Sequence, residues 1–532
     1  MSLMGKLKSF GRSLGVGNAT SSDPKTQAYI DFNRRKWSAR RGDESKGVIL
    51  LGLFSWNPSI HCYSYVANHL AAQHGAAIRT FYFQKNNVPG TAAVFASFGA
   101  EPGLTHANAT DEDRTLAGQQ ADEIFRGLKS KWDVIHIAVD GVPLGDLIYD
   151  TYLRYLARPT VILDDPELRA IILDTLLIYH ACRRYLATHN VRAVIPDHTV
   201  YSQCGVLLRL AAIHGIPTYL VYYSPRFLVR RLDYRLQRGE HAIQSRWPYY
   251  DYRKIFSQLP PDAQARARER GGAALRERLS GTIDATILTT FSPYDAHAGE
   301  HLMETTGRPR ILVLLHDFCD AVHLYRRMLF PDFVEWSDYL LEHAAKTPFD
   351  WYLKPHPNIL LASRAAMTAT NERCVAELRE KFPFVRMIDP KASNRQLVDE
   401  GIASMFTVHG TAAHEFASMG VPVVNAGDNP HAAYPFNIHA QTLDEYAGLI
   451  ARADQLHCDI QQTDIEELFY MYYQHFYEHD GTAAHPIDPA LLPSREIDKQ
   501  GGSSDVLDIC MRSATPEREA PLASYLDETF AG

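Results

Sequence analysis

Two runs, FDWYLKPHPN at 349–358 and IASMFTVHGTAAHEFASMGVPVVNAGD at 402–428, decide how this chain is read. Each is a short apolar segment followed by a polar loop, and the second runs on into a helical pattern. That is the strand–loop–helix unit of an α/β domain, whose open sheets bind ligands outside the carboxyl ends of their strands. In the first unit, strand Phe349–Leu353 delivers Lys354 and His356 on a loop stiffened by Pro355 and Pro357, which fix φ and remove backbone donors. A cation and an imidazole there suit a phosphate or a phosphate-like leaving group. In the second, strand Ile402–Val408 leads into His409-Gly410-Thr411 and a helix to Met419. Gly410 lets the backbone come close to a ligand, Thr411 is placed to cap the helix, and the free N–H groups of the helix start attract an anion. Glu415 shares a helix face with Thr411, so a carboxylate stands one turn behind the phosphate, where it can accept ribose hydroxyls. Gly420 ends the helix and Val421–Val424 begins the next buried strand. A rigid turn explains the first motif alone, and a helix cap the second. On successive strand ends of one sheet they predict a nucleotide-phosphate site.

The bulk properties bound the class. A chain of 532 residues favours at least two domains. Its 46% hydrophobic and 22% charged residues are those of a globular protein with full cores. A net charge of −8 argues against nucleic acid as a partner. No apolar run is long enough to span a bilayer, and the start lacks the apolar core of a signal peptide. The cysteines at 62, 182, 204, 319, 374, 458 and 510 are scattered, odd in number and without a C-x-x-C pair. They indicate a reducing, cytoplasmic setting rather than disulfides or a zinc ribbon.

Residues 1–44 read as a leader, disordered in part, with a short amphipathic pattern (Leu7, Phe10, Leu14 beside Lys6, Lys8, Arg12) able to touch anionic lipid. Residues 45–222 read as a doubly wound domain: strand Gly47–Phe54, helix His61–His74, strand Ala77–Phe83, helix Asp111–Lys131 and strand Trp132–Val139. Helices Leu144–Leu156 and Pro166–Thr188 follow, then strand Val191–Ile195, helix Ser202–His214 and strand Pro217–Val221. Asp140 and the pair Asp197–His198 fall at strand ends, where a turn role competes with a site role. Residues 223–284 form an inter-domain insertion; over 222–254 Arg226, Arg230, Arg231, Arg235, Arg238, Arg246, Arg253 and Lys254 alternate with Phe227, Tyr234, Trp247, Tyr249, Tyr250 and Tyr252. A solvated face with buried aromatic stems explains it, and so does a grip on an anionic acceptor. Residues 285–462 read as a second such domain, in which the loop after strand Arg310–Leu315 offers His316 and Asp320 to the crevice. His316, Cys319, Asp320 and His323 match no recognised metal pattern, so no metal is expected. The loop 426–437 is placed to close over a base or sugar. An aromatic helix, Asp464–Tyr477, reads as buried on both sides and crossing back to the first domain, and 480–532 as loop or tail.

These residues resemble the GT-B glycosyltransferases, two Rossmann-like domains facing a central cleft. Among those they are similar to the bacterial capsule and surface-carbohydrate biosynthesis enzymes, Kdo- and sialyltransferase-like. The resemblance rests on LKPHPN, VHGTAAHEFASMGVPVV, GVPLGDLIYDTYLR (141–154), DHTVYSQCGVLLRLAAIHGIP (197–217) and ILVLLHDFCDAVHLYRRMLFPDFVEW (311–336), and covers most of 45–480. It implies that His356-Pro357 contacts a CMP phosphate, that Thr411 at its helix start binds the same phosphate, and that Glu415 meets the ribose. It implies a base at Asp140-Gly141, although Val139 stands where a second acid is usual. Asp197 with His198 is the other candidate base. The expected activity is transfer of a sugar from a nucleotide-sugar donor to a glycan or glycolipid acceptor, without cofactor or metal, in the cytoplasm or at the inner face of the membrane. Lys354, His356, His409, Gly410, Thr411 and Glu415 would form the donor site. A UDP-sugar 2-epimerase, a polymer glycerophosphotransferase and a non-enzymatic nucleotide-binding scaffold are the competing readings.

Overall fold

A buried strand, a helix that packs back over it and a second buried strand make the opening βαβ unit, the crossover that links parallel neighbours. In the computed structural model, β1 (Val48–Gly52) pairs in parallel with β2 (Ala77–Phe81) across helix Asn57–His74. Gly75 ends that helix at φ 62°, a left-handed cap that glycine adopts without penalty. The structure describes residues 23–38, 42–83, 90–223, 227–232, 249–279, 301–325, 327–360, 365–475, 484–488, 491 and 504–531. The run of basic and aromatic residues expected over 222–254 is therefore only partly placed: Arg226, Tyr234, Arg235, Arg238, Arg246 and Trp247 lie outside the described residues, as do 1–22.

The chain divides into two units. Unit 1 comprises 1–151, 162–235 and 479–532, and unit 2 comprises 152–161 and 236–478. Residues 152–161 group with unit 2, and residues 479–532 with unit 1.

Unit 1 continues with β3 (Ala100–Leu104), the hairpin β4 (Ala138–Val139) and β5 (Val142–Pro143), then β6 (Val191–Ile195), β7 (Tyr219–Tyr222) and β8 (Leu228–Arg231). Its parallel sheet has the order β3-β2-β1-β6. The strand expected at 132–139 is instead a helical turn, Lys131–Ile135, closed by a capping box between Ser130 and Asp133. It runs into the β4–β5 hairpin, whose turn residues Asp140 and Gly141 have φ of 51° and 77°, as a tight hairpin turn requires. The strand expected at 217–221 bridges β6 only at Thr218 and then turns into the antiparallel β7–β8 pair.

Three further helices correct the reading of the chain's flanks. Pro24–Trp37, within the expected leader, is capped by Asp23 and starts on proline. Asp505–Ser513 and Pro516–Phe530 lie where a tail was expected. Tyr29 and Ile30 from the first, with Val506, Leu507, Cys510, Leu522, Leu526 and Phe530 from the others, enter one core with Ile49, Leu51, Ile78 and Ile195 of the sheet. Leu522, Leu526 and Phe530 recur every four residues, one face of a helix, so this burial is what makes the segment ordered.

Unit 2 holds β9 (Arg310–Leu314), β10 (Asp350–Lys354), β11 (Arg386–Met387), β12 (Ser404–Thr407), β13 (Val423–Asn425) and β14 (Ile438–His439). All pairings are parallel, in the order β11-β10-β9-β12-β13-β14. Counted from β9 this is 3-2-1-4-5-6, the doubly wound order of Rossmann-like domains. The direction in which successive strands are added reverses between β9 and β12, while the strands themselves stay parallel. Helix Pro261–Leu279 packs on helix Gln462–Phe469 so closely that a Cβ on Gly271 would lie 2.0 Å from the Glu466 carbonyl oxygen. The aromatic helix passes from α to π geometry at Tyr470–Gln474, and Phe469, Tyr470 and Met471 sit in the unit 2 core beside Phe256, Leu275 and Phe436. From 479 the chain belongs to unit 1 again.

Candidate functional site

The strand order brings the predicted loops of unit 2 to one edge. β9 and β12 are neighbours, so the loops leaving their carboxyl ends diverge at the switch point, where α/β sheets bind ligands. His316, two residues beyond β9, reaches across: Thr407 Oγ1 is 3.0 Å from its Nε2, and the Val408 N–H donates to the same nitrogen at 3.1 Å. Nε2 therefore accepts, and the ring proton belongs on Nδ1. The ring stacks on Phe333 at 4.4 Å and lies 4.8 Å from His409. Burial holds its pKa well below the usual imidazole range, with further repulsion from His409 and His356, so His316 is neutral at physiological pH. His409 is enclosed by Tyr325 at 5.0 Å and Phe333 at 5.5 Å. A Cβ on Gly410 would come within 3.0 Å of Thr407 Oγ1 and 3.7 Å of His316 Cε1. The glycine permits this approach. Thr411 stands at the start of helix Ala412–Ser418, but its hydroxyl makes no cap bond among the described residues. Its backbone is already helical (φ −64°, ψ −18°), whereas a capping side chain needs an extended residue to fold back.

On the other side of β9, β10 ends in Lys354. The side chain is buried; Nζ donates to the Ala392 carbonyl at 2.7 Å and to Asn394 Oδ1 at 2.6 Å. Burial lowers its pKa to about 8, against the opposing pull of Glu415 and Asp389. Pro357 opens a short 3-10 turn, Pro357–Leu360, and the Asn358 N–H donates to His356 Nδ1 at 3.2 Å. Asn358 also ties the two loops together through its Nδ2, 3.1 Å from Asp317 Oδ2. Asp317 Oδ1 accepts from Asn371 Nδ2 at 2.8 Å, and Asn371 Oδ1 accepts from the Phe318 N–H at 2.8 Å.

Glu415, read from sequence as a ribose acceptor, is buried with a protein donor on each oxygen. Arg278 bonds Oε1, and Asn394 Nδ2 lies 3.2 Å from Oε2. Asp320 is half exposed on the loop after β9, with Arg154 Nη1 3.5 Å away. The structure thus gathers His316, His409 and Gly410, links Lys354 to Glu415 through Asn394, and leaves Asp320 with Arg154.

The unit 1 candidates are in two places. Asp140, on the β4–β5 turn, accepts from Tyr179 Oη at 2.9 Å and from Arg183 Nη1 at 2.7 Å. Asp197 follows β6 directly beside the end of β1, where a Cβ on Gly52 would meet its nitrogen at 3.0 Å. Its Oδ1 accepts from Cys204 Sγ at 3.2 Å, and burial raises its pKa. His198 is exposed, its Nδ1 accepting the Thr199 and Val200 N–H groups at 3.1 and 3.2 Å. Tyr201 follows at φ 67°, ψ 154°, a region costing a non-glycine residue about 1–3 kcal/mol and found most often near functional loops.

Asn394, Arg278, Asp317 and Asn371 were not singled out from sequence. Arg278 lies 137 positions from Glu415, and no local pattern marks such a pair. Asn394 follows Ser393, the cap of helix Asn394–Asp399, and reads as an ordinary helix start. Among the described residues, no three of His, Cys, Asp and Glu are grouped to hold a metal, and no helix is long and apolar enough to cross a membrane. All seven cysteines are free thiols.

Fold and site together define a protein of two Rossmann-like α/β units. No protein-family model and no curated protein matches the chain. Among solved structures, it is similar to KpsC, a β Kdo 2,4 transferase of Thermosulfurimonas dismutans, at 13% identity over 53% of this chain and 79% of that one, with a TM-score of 0.32. It is also similar to an O-GlcNAc transferase mutant of Thermobaculum terrenum at 11% identity, over 94% and 79% of the two chains, with a TM-score of 0.26. A third similar structure is the UDP-GlcNAc 2-epimerase of Neisseria meningitidis bound to UDP-GlcNAc, at 11% identity over 79% and 97%, with a TM-score of 0.22.

Proposed function

We propose that unit 2 binds the nucleoside phosphate of an activated sugar and that the protein is a glycosyltransferase. The reading is carried by one observation: His316 and His409-Gly410-Thr411 lie on neighbouring strand ends astride the switch point of a 3-2-1-4-5-6 sheet, with the Lys354–His356 loop on the adjacent strand. As the bond to the sugar breaks, the departing phosphate gains negative charge. Lys354, His356 and the helix start at Thr411 would stabilise that charge electrostatically, usually a large part of catalysis. In this reading these side chains meet the charge without a metal. Neutral His316, its proton on Nδ1, serves as a hydrogen-bond donor rather than a second cation.

The donor we propose is a CMP-sugar, after the resemblance of His356-Pro357. The acceptor is a glycan or glycolipid of a bacterial surface polysaccharide; a glycolipid would bring the protein to the inner face of the membrane. For the acceptor's base we favour Asp197 over Asp140. Burial raises the Asp197 pKa toward the range a general base needs, whereas Asp140 is held in an ion pair with Arg183.

A melting-temperature screen with CMP, CDP, UDP and GDP tests the nucleotide site. A ligand selective for the native state at 100 times its Kd adds about 2.7 kcal/mol of stability, and CMP should give the largest rise. No shift with any of them at millimolar concentration would end the donor-site reading. Turnover that survives Lys354→Ala with His356→Ala would remove those residues from the mechanism. A product formed from donor alone would instead indicate an isomerase.

A further inference from the structure

Lys354 and Glu415 come from different strand–helix units and do not bond directly. Asn394 stands between them. Its Oδ1 accepts from Lys354 Nζ at 2.6 Å and its Nδ2 donates to Glu415 Oε2 at 3.2 Å, so the two neighbours fix which way the amide faces. Glu415 Oε1 is held by Arg278, from the end of helix Pro261–Leu279. All four residues are buried. The chain Arg278–Glu415–Asn394–Lys354 therefore joins helix Pro261–Leu279, helix Ala412–Ser418, helix Asn394–Asp399 and the tip of β10.

We propose that Asn394 is a positioning residue of the phosphate site: its amide aligns the Lys354 ammonium and couples it to the Glu415–Arg278 pair. The proposal rests on the donor-site reading only for what Lys354 then binds. A buried amide of this kind is costly unless both ends are satisfied, and here each end is satisfied by an ionisable group. The charge inventory gives it a consequence. With Lys354 protonated the chain carries two cations and one carboxylate, and Asp389, on the loop after β11, supplies a second carboxylate near Lys354. Tyr473 faces Glu415 and Arg278 from the π-helical segment and stays protonated, because burial raises its pKa. An incoming phosphate would favour the ammonium, and Asn394 would hold that ammonium in place.

The test is trace acetylation of the full-length protein across pH 6–11, with the labelling rate of Lys354 read by peptide mass spectrometry. In Asn394→Ala the ammonium loses an acceptor and its midpoint should fall. In Asn394→Asp it gains a carboxylate and the midpoint should rise, by about 1 pH unit or more. Lys381 and Lys391 in the same unit should keep their wild-type rates, which verifies folding. If Asn394→Asp alters those rates, Asn394→Gln replaces it; moving the acceptor by one methylene should lower the midpoint as alanine does. Midpoints indistinguishable from wild type would overturn the proposal. CMP affinity measured on the same proteins should weaken with rising pH at a point that moves with each midpoint. If the wild type binds no nucleotide, the donor-site reading fails, while the labelling still decides the role of Asn394.

Discussion

Replacing Arg278 with Met would strand the Glu415 carboxylate. Glu415 is 1% exposed and Arg278 8%, so neither partner can be replaced by bulk water without opening the helix packing. Removing one member of a buried ion pair costs about 3–5 kcal/mol, because the remaining charge is left uncompensated. Asn394 still donates to Oε2 and Lys354 lies beyond it, so the expected loss is at the lower end, about 3 kcal/mol. Glu415 in this variant has its pKa raised, and its deficit against wild type should therefore shrink as pH falls toward 5 and the carboxylate takes up a proton. The double variant R278M/E415Q removes both charges and should recover to within about 1 kcal/mol of wild type, since a neutral pair of similar shape often replaces a buried salt bridge without loss. Urea unfolding followed through Trp336 and Trp351, both buried in unit 2, supplies the free energies and closes the double-mutant cycle. A single-variant loss below about 1 kcal/mol, or a double variant less stable than R278M, would refute the reasoning.

Three other outcomes follow from the packing. Burial lowers the Lys354 pKa to about 8 from the usual lysine value of 10.5, so the unfolded state binds more protons between those values; wild type should gain roughly 3 kcal/mol relative to Lys354→Met from pH 7 to 10.5 in denaturant unfolding. Leu526→Ala should cost about 2–5 kcal/mol in unit 1, measured the same way, because its side chain lies in the core shared with the sheet. Gly271→Ala should cost about 1–3 kcal/mol through overpacking against the Glu466 carbonyl, visible as a lower melting temperature with little change in far-UV circular dichroism.

The α/β character and most strands of unit 2 were legible because its strands are nearly continuous apolar runs bounded by polar loops. β10 and β12 lie within a few residues of the expected spans, and Pro166–Thr188 and Val191–Ile195 coincide with them. Residues 132–139 misled because Trp132, Val134, Ile135, Ile137 and Val139 alternate well enough for a strand, while the Ser130–Asp133 capping box starts a helical turn. The segment beyond 480 misled for a different reason. Its glycine, proline and serine are concentrated before 505, and that composition hid the four-residue apolar repeat that follows. At the candidate site, loop residues could be named from sequence, but their partners could not. The bonds from Arg278 and Asn394 to Glu415 depend on how helices pack, and nothing in local spacing encodes that.

Unit 1 is assembled from three separate stretches, and its core is completed by residues 505–530. During synthesis the strands and helices of 48–222 emerge long before the helices that cover them. Unit 2, nearly all of it within 236–478, has its full complement of strands first. Domains usually mature from the amino end as they leave the ribosome; here the carboxyl-side unit should reach its native state earlier. Until then the apolar face of the first sheet stays open, and chaperones that hold nascent chains would have their longest dwell there.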